Sequence, residues 1–244
     1  MEYKFFTALL YKLRFYKILF WHEYCFKIYK IFKILKGKIM NHVNVQKSNL
    51  MYFRFGPIIA HHKLNNDFID ELTRRGNKTH IDHSAHLAGH IIKENEFNVA
   101  DKNWFIDNTK EIFSEYIQNL QTNSFDNARP PVTSMNLDKL WINFMKKGEF
   151  NPVHDHSGNI SFVIYTSVPN EILMENKNFK GKGSGPGCIS FFHGENSENY
   201  RSEYHFLPKT GYMFIFPASL RHFVPPFKSN VTRISVSGNL TLSF

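Results

Sequence analysis

From residue 135 to its end, the chain consists of short runs of β-branched and aromatic residues. The clearest runs are "ISFVIYTSV", "GCISFFHG", "GYMFIFPA" and "VTRISVSGNLTL", and Gly, Pro, Asn and Ser residues separate them. Short strands with turns at this spacing are typical of an antiparallel sandwich or barrel. An aromatic content of 16%, including 25 Phe residues, supplies the apolar surface that such a core needs. The sequence therefore predicts a mainly β core over residues 135–244.

A helical part, residues 64–127, precedes this core. The segments "NNDFIDELTRRGNK", "HSAHLAGHIIKENEF" and "KNWFIDNTKEIFSEYIQNLQTN" place apolar residues at helical spacing, and we predict a helix for each. Upstream, "MYFRFGPIIAHHKL" predicts a short strand that enters a loop, and the Pro-rich "NARPPVTS" marks the boundary with the core. We expect the two parts to form one domain, residues 51–244.

Four histidines lie near or within the second of these segments, at positions 80, 83, 86 and 90. On a helix, His83, His86 and His90 would share one face. That face lacks a nearby carboxylate in the compact pattern of a helical metal site such as H-E-x-x-H. We therefore interpret His80, His83, His86 and His90 as surface or packing residues.

The positive charge of the chain is concentrated in its first forty residues. Residues 1–40 contain nine Lys/Arg and two acidic residues, whereas the rest of the chain contains 21 Lys/Arg and 19 Asp/Glu. The body is thus nearly neutral, and no nucleic-acid partner is expected.

The leader, residues 1–50, leaves two interpretations open. Its lysines and apolar residues alternate in a pattern that, as a helix, would lie on an anionic membrane surface through residues 1–38. Alternatively, the segment is a disordered appendage or a gene-start artefact, since Met40 and Met51 follow closely. Its charge-free stretches fall short of the ~18 residues that a membrane span requires.

The stretch "NPVHDHSGNISFVIY" places two histidines two residues apart, directly before a predicted strand. In an extended backbone, residues i and i+2 share a face, so His154 and His156 would converge while Asp155 points away. A third histidine, His222, follows the predicted strand that ends at Pro217. These residues are candidate metal ligands because neutral imidazole suits several transition metals.

The last predicted strand carries a polar face. Arg233, Ser235, Ser237 and Asn239 alternate with the apolar Ile234 and Val236. An arginine and serines on one strand face of an otherwise apolar core indicate a polar interior cavity with an anionic guest.

The order H-x-H, distal His and Arg-x-Ser resembles that of the iron(II)/2-oxoglutarate-dependent oxygenases, prolyl-hydroxylase-like members of phage and bacterial type above all. The resemblance rests on "WINFMKKGEFNPVHDHSGNISFVIYTSVP" and "LPKTGYMFIFPASLRHFVPPFKSNVTRISVSGNL", and "YFRFGPIIAHH" is similar to the opening of such proteins. It covers roughly residues 51–244. It implies a double-stranded β-helix (jelly roll, cupin-like) core with a helical shoulder, and a 2-oxoglutarate-dependent dioxygenase that acts as a hydroxylase.

The resemblance also implies Fe(II) as metal, 2-oxoglutarate as cosubstrate, and O2. The family holds its metal with H-x-D/E and a distal His, and this sequence departs from that pattern. Two ligand sets remain open. Strand alternation favours His154, His156 and His222, whereas a bulged turn would rotate Asp155 inward in place of His156.

For the cosubstrate, the resemblance implies that Arg233 pairs with the far carboxylate of 2-oxoglutarate. It further implies that Ser235 donates a hydroxyl hydrogen bond to the same carboxylate and that Tyr165 is a second candidate donor. Succinate and CO2 are the expected co-products. By the same resemblance, the expected substrate is a small molecule or a peptide, such as peptidyl proline or a small metabolite.

Two alternatives remain at this point. A cupin-type enzyme would use the three histidines without 2-oxoglutarate, and it would have no stated need for Arg233. A non-catalytic jelly-roll binding protein would hold no metal. The two cysteines, Cys25 and Cys188, are far apart and suggest no disulfide framework, so we expect a cytoplasmic location.

Overall fold

The computed structural model describes residues 56–123, 130–199 and 201–244. The chain divides into two units, Met1–Phe53 and Arg54–Phe244, and every described residue belongs to the second. The predictions for the leader, including a membrane-surface helix through residues 1–38, lie outside the described residues. Within the described part, no helix has the length and apolar character needed to cross a membrane.

The described part contains three α-helices and eleven strands. The helices are α1 (Asn66–Gly76), α2 (Val99–Asn123) and α3 (Asn170–Lys177), and a 3-10 turn spans Ser84–His86. The strands are β1 (Ala60–Lys63), β2 (Ile81–Asp82), β3 (Glu94–Glu96), β4 (Ser134–Met145), β5 (Asn151–His154), β6 (Ile160–Ser167), β7 (Ile189–Phe192), β8 (Glu203–Phe206), β9 (Tyr212–Pro217), β10 (His222–Val224) and β11 (Arg233–Ser243).

The strands form two antiparallel sheets. The large sheet has the order β1-β9-β6-β11-β4-β3-β2, and the small sheet has the order β5-β10-β7-β8. From β4 to β11 the chain passes repeatedly between the two sheets, with β4, β6, β9 and β11 in the large one. This alternation is the topology of a double-stranded β-helix, or jelly roll, and it confirms the fold class predicted from the sequence.

The large sheet is buried on both faces. On one face, residues such as Ile142, Ile164 and Val236 pack with Leu72 of α1 and Phe105 of α2. On the other face, Val163, Tyr165, Phe214 and Phe216 pack with Ile189 and Phe191 of the small sheet. The alternation along β6 separates the two cores, because successive side chains of a strand point to opposite faces.

Two of the three predicted helices are confirmed. Helix α1 begins where the Asn65 side chain accepts a hydrogen bond from the backbone N–H of Phe68 at 2.8 Å, and it buries Ile69 and Leu72. Helix α2 follows the periodicity of the third segment and packs Phe105 and Phe113 in the core.

The second predicted helix is wrong. The segment instead forms the 3-10 turn and strand β3, which pairs with β4 and extends the large sheet. Pairing with β4 holds β3 extended, and at Gly89 an added Cβ would collide with the side-chain oxygen of Asn151 on β5. His83, His86 and His90 therefore share no helical face. His83 is buried against the Trp141 ring, in agreement with a packing role.

Gly238 offers a test of how tightly the large sheet is packed. A Cβ at this position of β11 would lie 2.5 Å from the Phe162 ring and 2.6 Å from the Lys139 carbonyl oxygen. We expect Gly238→Ala to lower the free energy of unfolding by roughly 1–3 kcal/mol, because the backbone oxygen cannot move aside cheaply. Urea unfolding measures the change.

Gly183→Ala is the matched control, because nothing lies within 4 Å of an added Cβ there. We expect it to change the free energy of unfolding by less than about 0.5 kcal/mol. Equal stability of the two variants would contradict the packing described for β11.

Candidate metal centre and its cavity

The three histidines singled out in the sequence meet at one end of the small sheet. His154 is the last residue of β5 and His222 is the first of β10, and the two are cross-strand partners. The loop after β5 is held beside the turn after β9, because the backbone N–H of His156 donates to the carbonyl of Ala218 at 2.9 Å. Two stretches of chain that are distant in sequence, residues 154–156 and 218–222, are thus joined at this point.

The imidazole rings are close enough to share one ion. One ring nitrogen from each histidine lies within 4.8 Å of the other two. Ring centroids are 4.2 Å apart for His154 and His222, 5.0 Å for His156 and His222, and 4.9 Å for His154 and His156. Asp155 is exposed and lies outside this group. The side chains of residues 154–156 therefore alternate as expected, with the two histidines in the cluster and Asp155 outside it.

Backbone carbonyls orient two of the rings. The Nδ1 of His154 lies 2.7 Å from the carbonyl oxygen of Pro152, and the Nδ1 of His222 lies 2.9 Å from that of Leu220. A carbonyl oxygen only accepts, so each Nδ1 carries the hydrogen and donates it. The Nε2 atoms are then unprotonated, which is the form that binds a metal.

Burial keeps the three imidazoles neutral. It lowers the pKa of His222 to about 3, with the neighbouring His154 and His156 acting in the same direction. It also lowers the pKa of His156 to about 4, helped by His154 and Lys139, and lowers the pKa of His154. Protons therefore do not compete for these nitrogens near neutral pH. Three neutral imidazoles, one buried and two half-buried, fit a divalent transition metal such as iron.

Arg233 begins β11 and is 2% exposed. Its Nη1 donates to the carbonyl of Gly187 at 2.9 Å, and its guanidinium carbon lies 5.3 Å from the centre of the Tyr165 ring. Its Nε has no hydrogen-bond partner. Burial lowers the pKa of Arg233, yet a guanidinium stays charged in proteins. A buried cation with a free donor fits the carboxylate of an anionic cosubstrate.

Ser235 and Tyr165 lie next to this arginine. They are cross-strand partners on β11 and β6, and both side chains are buried. Burial raises the pKa of Tyr165 to about 12, so its hydroxyl keeps its proton and remains a donor. The hydroxyl of Ser235 accepts a hydrogen bond from the Asn143 side chain at 3.3 Å.

One cavity joins all of these side chains. It is lined by His154, His156, His222, Arg233, Ser235 and Tyr165, the six residues that the sequence singled out for metal and cosubstrate. Sequence reasoning missed Glu94, which also lines the cavity, because its segment was interpreted as a helix. The "ENE" of residues 94–96, with polar residues at i and i+2, was a weak signal of a strand face.

Comparisons with known proteins agree with this description. Residues 139–239, which extend from β4 into β11, match the model of a family described as "Putative 2OG-Fe(II) oxygenase". No curated protein sequence matches the chain.

Three solved structures resemble the chain in fold. The viral collagen prolyl hydroxylase of Paramecium Bursaria Chlorella virus-1, in its 2OG complex, is 13% identical, with 75% of this chain and 94% of that chain covered and a TM-score of 0.47. A Pseudomonas putida prolyl-4-hydroxylase is 12% identical over 76% and 93%, with a TM-score of 0.46. A Trichoplax adhaerens prolyl hydroxylase, solved with a hypoxia inducible factor peptide fragment, is 12% identical over 77% and 83%, with a TM-score of 0.45.

Fold and cavity define a jelly-roll protein with a candidate metal centre. Over residues 139–239, the chain matches the 2OG-Fe(II) oxygenase family. It is a 2-oxoglutarate-dependent dioxygenase, with Fe(II), 2-oxoglutarate and O2 as its cofactors. The family, enzyme class and cofactors expected from the sequence are confirmed.

The lowered histidine pKa values predict a pH dependence of stability. Imidazoles of the unfolded chain bind protons near pH 6.5 that the folded chain does not bind, so the free energy of unfolding falls as the pH drops. Glu94 acts in the opposite direction, because its pKa in the folded chain is raised to about 7. We expect the free energy of unfolding of His222→Gln to fall by about 2 kcal/mol less than that of the wild type when the pH drops from about 7 to about 5.

Urea unfolding of the chelator-treated protein at a series of pH values measures this difference. The comparison removes the contribution of Glu94, since both proteins contain it. Parallel pH profiles for the two proteins would show that His222 is not kept neutral by burial.

Proposed function

We propose that His154, His156 and His222 hold the Fe(II) of this oxygenase and that Arg233 binds the distal carboxylate of 2-oxoglutarate. One observation carries the proposal. A single cavity contains three imidazoles whose ligand atoms lie within 4.8 Å of one another, together with a buried guanidinium whose Nε has no partner. A cation site and an anion site side by side suit a metal and a dicarboxylate.

The chain's own residues position these groups. Carbonyl acceptors turn the Nε2 atoms of His154 and His222 toward the centre, and Arg233 supplies a fixed positive charge. Ser235 and Tyr165 place two hydroxyls beside that charge, where each would donate to a bound carboxylate. When bound, Fe(II), 2-oxoglutarate and O2 supply the oxidising chemistry, with succinate and CO2 as co-products.

The third ligand distinguishes this site from a His/His/carboxylate triad. Because His156 is neutral, the three ligands of this chain would leave the double charge of a bound Fe(II) uncompensated. Asp155 is exposed and faces away from the cavity, so it does not offset that charge.

The competing functions differ in what they require of the cavity. A cupin-type enzyme that does not use 2-oxoglutarate would not need a buried arginine beside the metal. A non-catalytic jelly-roll protein would not need three neutral imidazoles in one cluster. Metal content and consumption of 2-oxoglutarate separate the three.

We further propose a peptide or small-molecule substrate that the enzyme hydroxylates. Among the solved structures of similar fold, the Trichoplax adhaerens prolyl hydroxylase is in complex with a peptide fragment. A cytoplasmic location is supported by the free, buried thiol of Cys188, which a reducing compartment preserves. Contact with a membrane through residues 1–38 is a separate proposal and is tested by vesicle binding of the full chain.

The direct test is release of succinate from 2-oxoglutarate by the full chain after anaerobic loading with Fe(II). The proposal expects one bound iron per chain and succinate release in air, which candidate substrates should accelerate. A chain that binds no iron, or that never consumes 2-oxoglutarate, would rule out the proposed function.

The ligand set is tested by a pair of adjacent variants. We expect His156→Ala to weaken Fe(II) binding by more than the roughly 10- to 100-fold that loss of a ligand's hydrogen-bond partner costs, because one of three ligands is itself lost. Asp155→Ala should bind as the wild type does, because its side chain is exposed. Anaerobic titration with Fe(II) measures both, and the reverse result would make Asp155 the ligand.

The role of Arg233 is tested by Arg233→Lys. Lysine keeps the charge but loses the planar fork, so we expect kcat/KM for 2-oxoglutarate to fall by roughly a hundredfold while Fe(II) binding is retained. Arg221→Lys is the matched control, since Arg221 is exposed and lies just before His222 in sequence. Unchanged kinetics in Arg233→Lys would exclude a specific role for the guanidinium.

A further inference from the structure

Glu94 is a buried acid that the proposed chemistry does not use. It is 1% exposed, lies on β3 and lines the same cavity as the three imidazoles. Its Oε2 has no hydrogen-bond partner. Among the described residues, no Lys, Arg or His forms an ion pair with it. A buried carboxyl without a donor is destabilising unless something else satisfies it.

Asn143 presents a second unsatisfied acceptor beside it. Asn143 is the cross-strand partner of Glu94, is 4% exposed and also lines the cavity. Its Nδ2 faces the backbone carbonyl of Ser235, which only accepts, so the amide nitrogen must point there and Oδ1 points away. That Oδ1 has no partner either. Two acceptors on neighbouring strands thus share one side of the cavity.

The surroundings favour a positive charge at this position. Burial raises the pKa of the Glu94 carboxyl to about 7, and the nearby Glu149 and Asp82 act in the same direction. Glu149 itself is satisfied, because the backbone N–H groups of Ile92 and Lys146 donate to it. The aromatic ring of Trp141 also lines the cavity, and an aromatic face attracts cations.

We propose that Glu94 and Asn143, with Trp141 beside them, form a substrate subsite for a protonated nitrogen, an ammonium or guanidinium group. Such a group donates several hydrogen bonds and accepts none, which matches two free acceptors. Its charge would keep the Glu94 carboxylate ionised. The inference rests on the proposed function, because the oxygenase would hydroxylate the substrate bound there. It narrows the class of substrate to organic cations.

Two simpler occupants give different outcomes. A protonated Glu94 that donates to the Asn143 Oδ1 would satisfy both groups without a ligand, and glutamine would reproduce that bond. A water molecule would also satisfy them, and it would show no preference for a cation. Of these three possibilities, only binding of a cation requires a negative charge on Glu94.

The experiment uses ethylammonium chloride as the probe and ethanol as its neutral counterpart of the same size. Binding of each to the purified full chain is measured by ligand-observed NMR at about pH 8 and constant ionic strength, where a carboxyl of pKa about 7 is mostly ionised. The proteins are the wild type, Glu94→Gln and Glu96→Gln. Glu96 lies on the same strand, pairs with Lys102 and does not line the cavity, so its variant is the matched control.

We expect the wild type and Glu96→Gln to bind ethylammonium at least about tenfold more tightly than ethanol, as a charge-assisted hydrogen bond implies. Glu94→Gln should lose that preference. Equal binding of the two probes by the wild type, or a preference that survives in Glu94→Gln, would overturn the proposal. Glu94→Ser provides a second way to remove the charge if circular dichroism shows that the glutamine variant is unfolded.

Succinate release by the same preparations keeps this inference separate from the proposed function. If the wild type prefers ethylammonium but never consumes 2-oxoglutarate, the cation subsite is supported and the proposed oxygenase roles of the residues are excluded. If the wild type consumes 2-oxoglutarate but binds ethylammonium and ethanol equally, the oxygenase function is supported and the cation subsite is excluded.

Discussion

The register of β11 is the constraint on which both the core and the cavity depend. This strand pairs with β4 from Arg233 to Ser243 and with β6 from Ile234 to Leu240. Its apolar residues face the helices, while Arg233 and Ser235 face the small sheet. A slip of one residue would exchange these two sets, burying an arginine among phenylalanines and emptying the cavity of its charge. Folding of the helix-facing core therefore also places Arg233 at the cavity.

The interior of the jelly roll tolerates polar side chains to the extent that they satisfy one another. Ser161 donates to the Asn239 side-chain oxygen at 2.8 Å, and Asn143 donates toward β11 at 3.3–3.4 Å. Such pairs offset the cost of burial. Of the four buried side-chain atoms without a partner among the described residues, those of Glu94, Asn143 and Arg233 lie around the cavity, whereas His83 does not line it. The three unsatisfied groups around the cavity mark where ligands are expected to bind.

Much of this arrangement could be predicted from the sequence, because strand alternation is a strict geometric rule. The rule was sufficient to place His154 and His156 on one face with Asp155 outside, and to align Arg233 with Ser235. It also identified the strands of the core. The family resemblance then added roles for these residues that alternation alone does not supply.

The remainder depended on contacts between distant parts of the chain. The residues around Glu94 have apolar spacing that suits a helix, but pairing with β4 makes β3 extended. Helix α3 and the meeting of His222 with His154 likewise arise from tertiary packing. Local propensity is a weak guide wherever such packing outweighs it.

The carbonyl contacts of His154 and His222 have a consequence for how this centre varies among sequences. Each ring is oriented by the backbone carbonyl two residues earlier in the chain, at Pro152 and Leu220, and not by a neighbouring side chain. Main-chain oxygens persist whatever residue occupies those positions. Side chains around the cavity can therefore change without altering the orientation of these two imidazoles. The orientation of the candidate metal ligands and the substrate preference can then change independently.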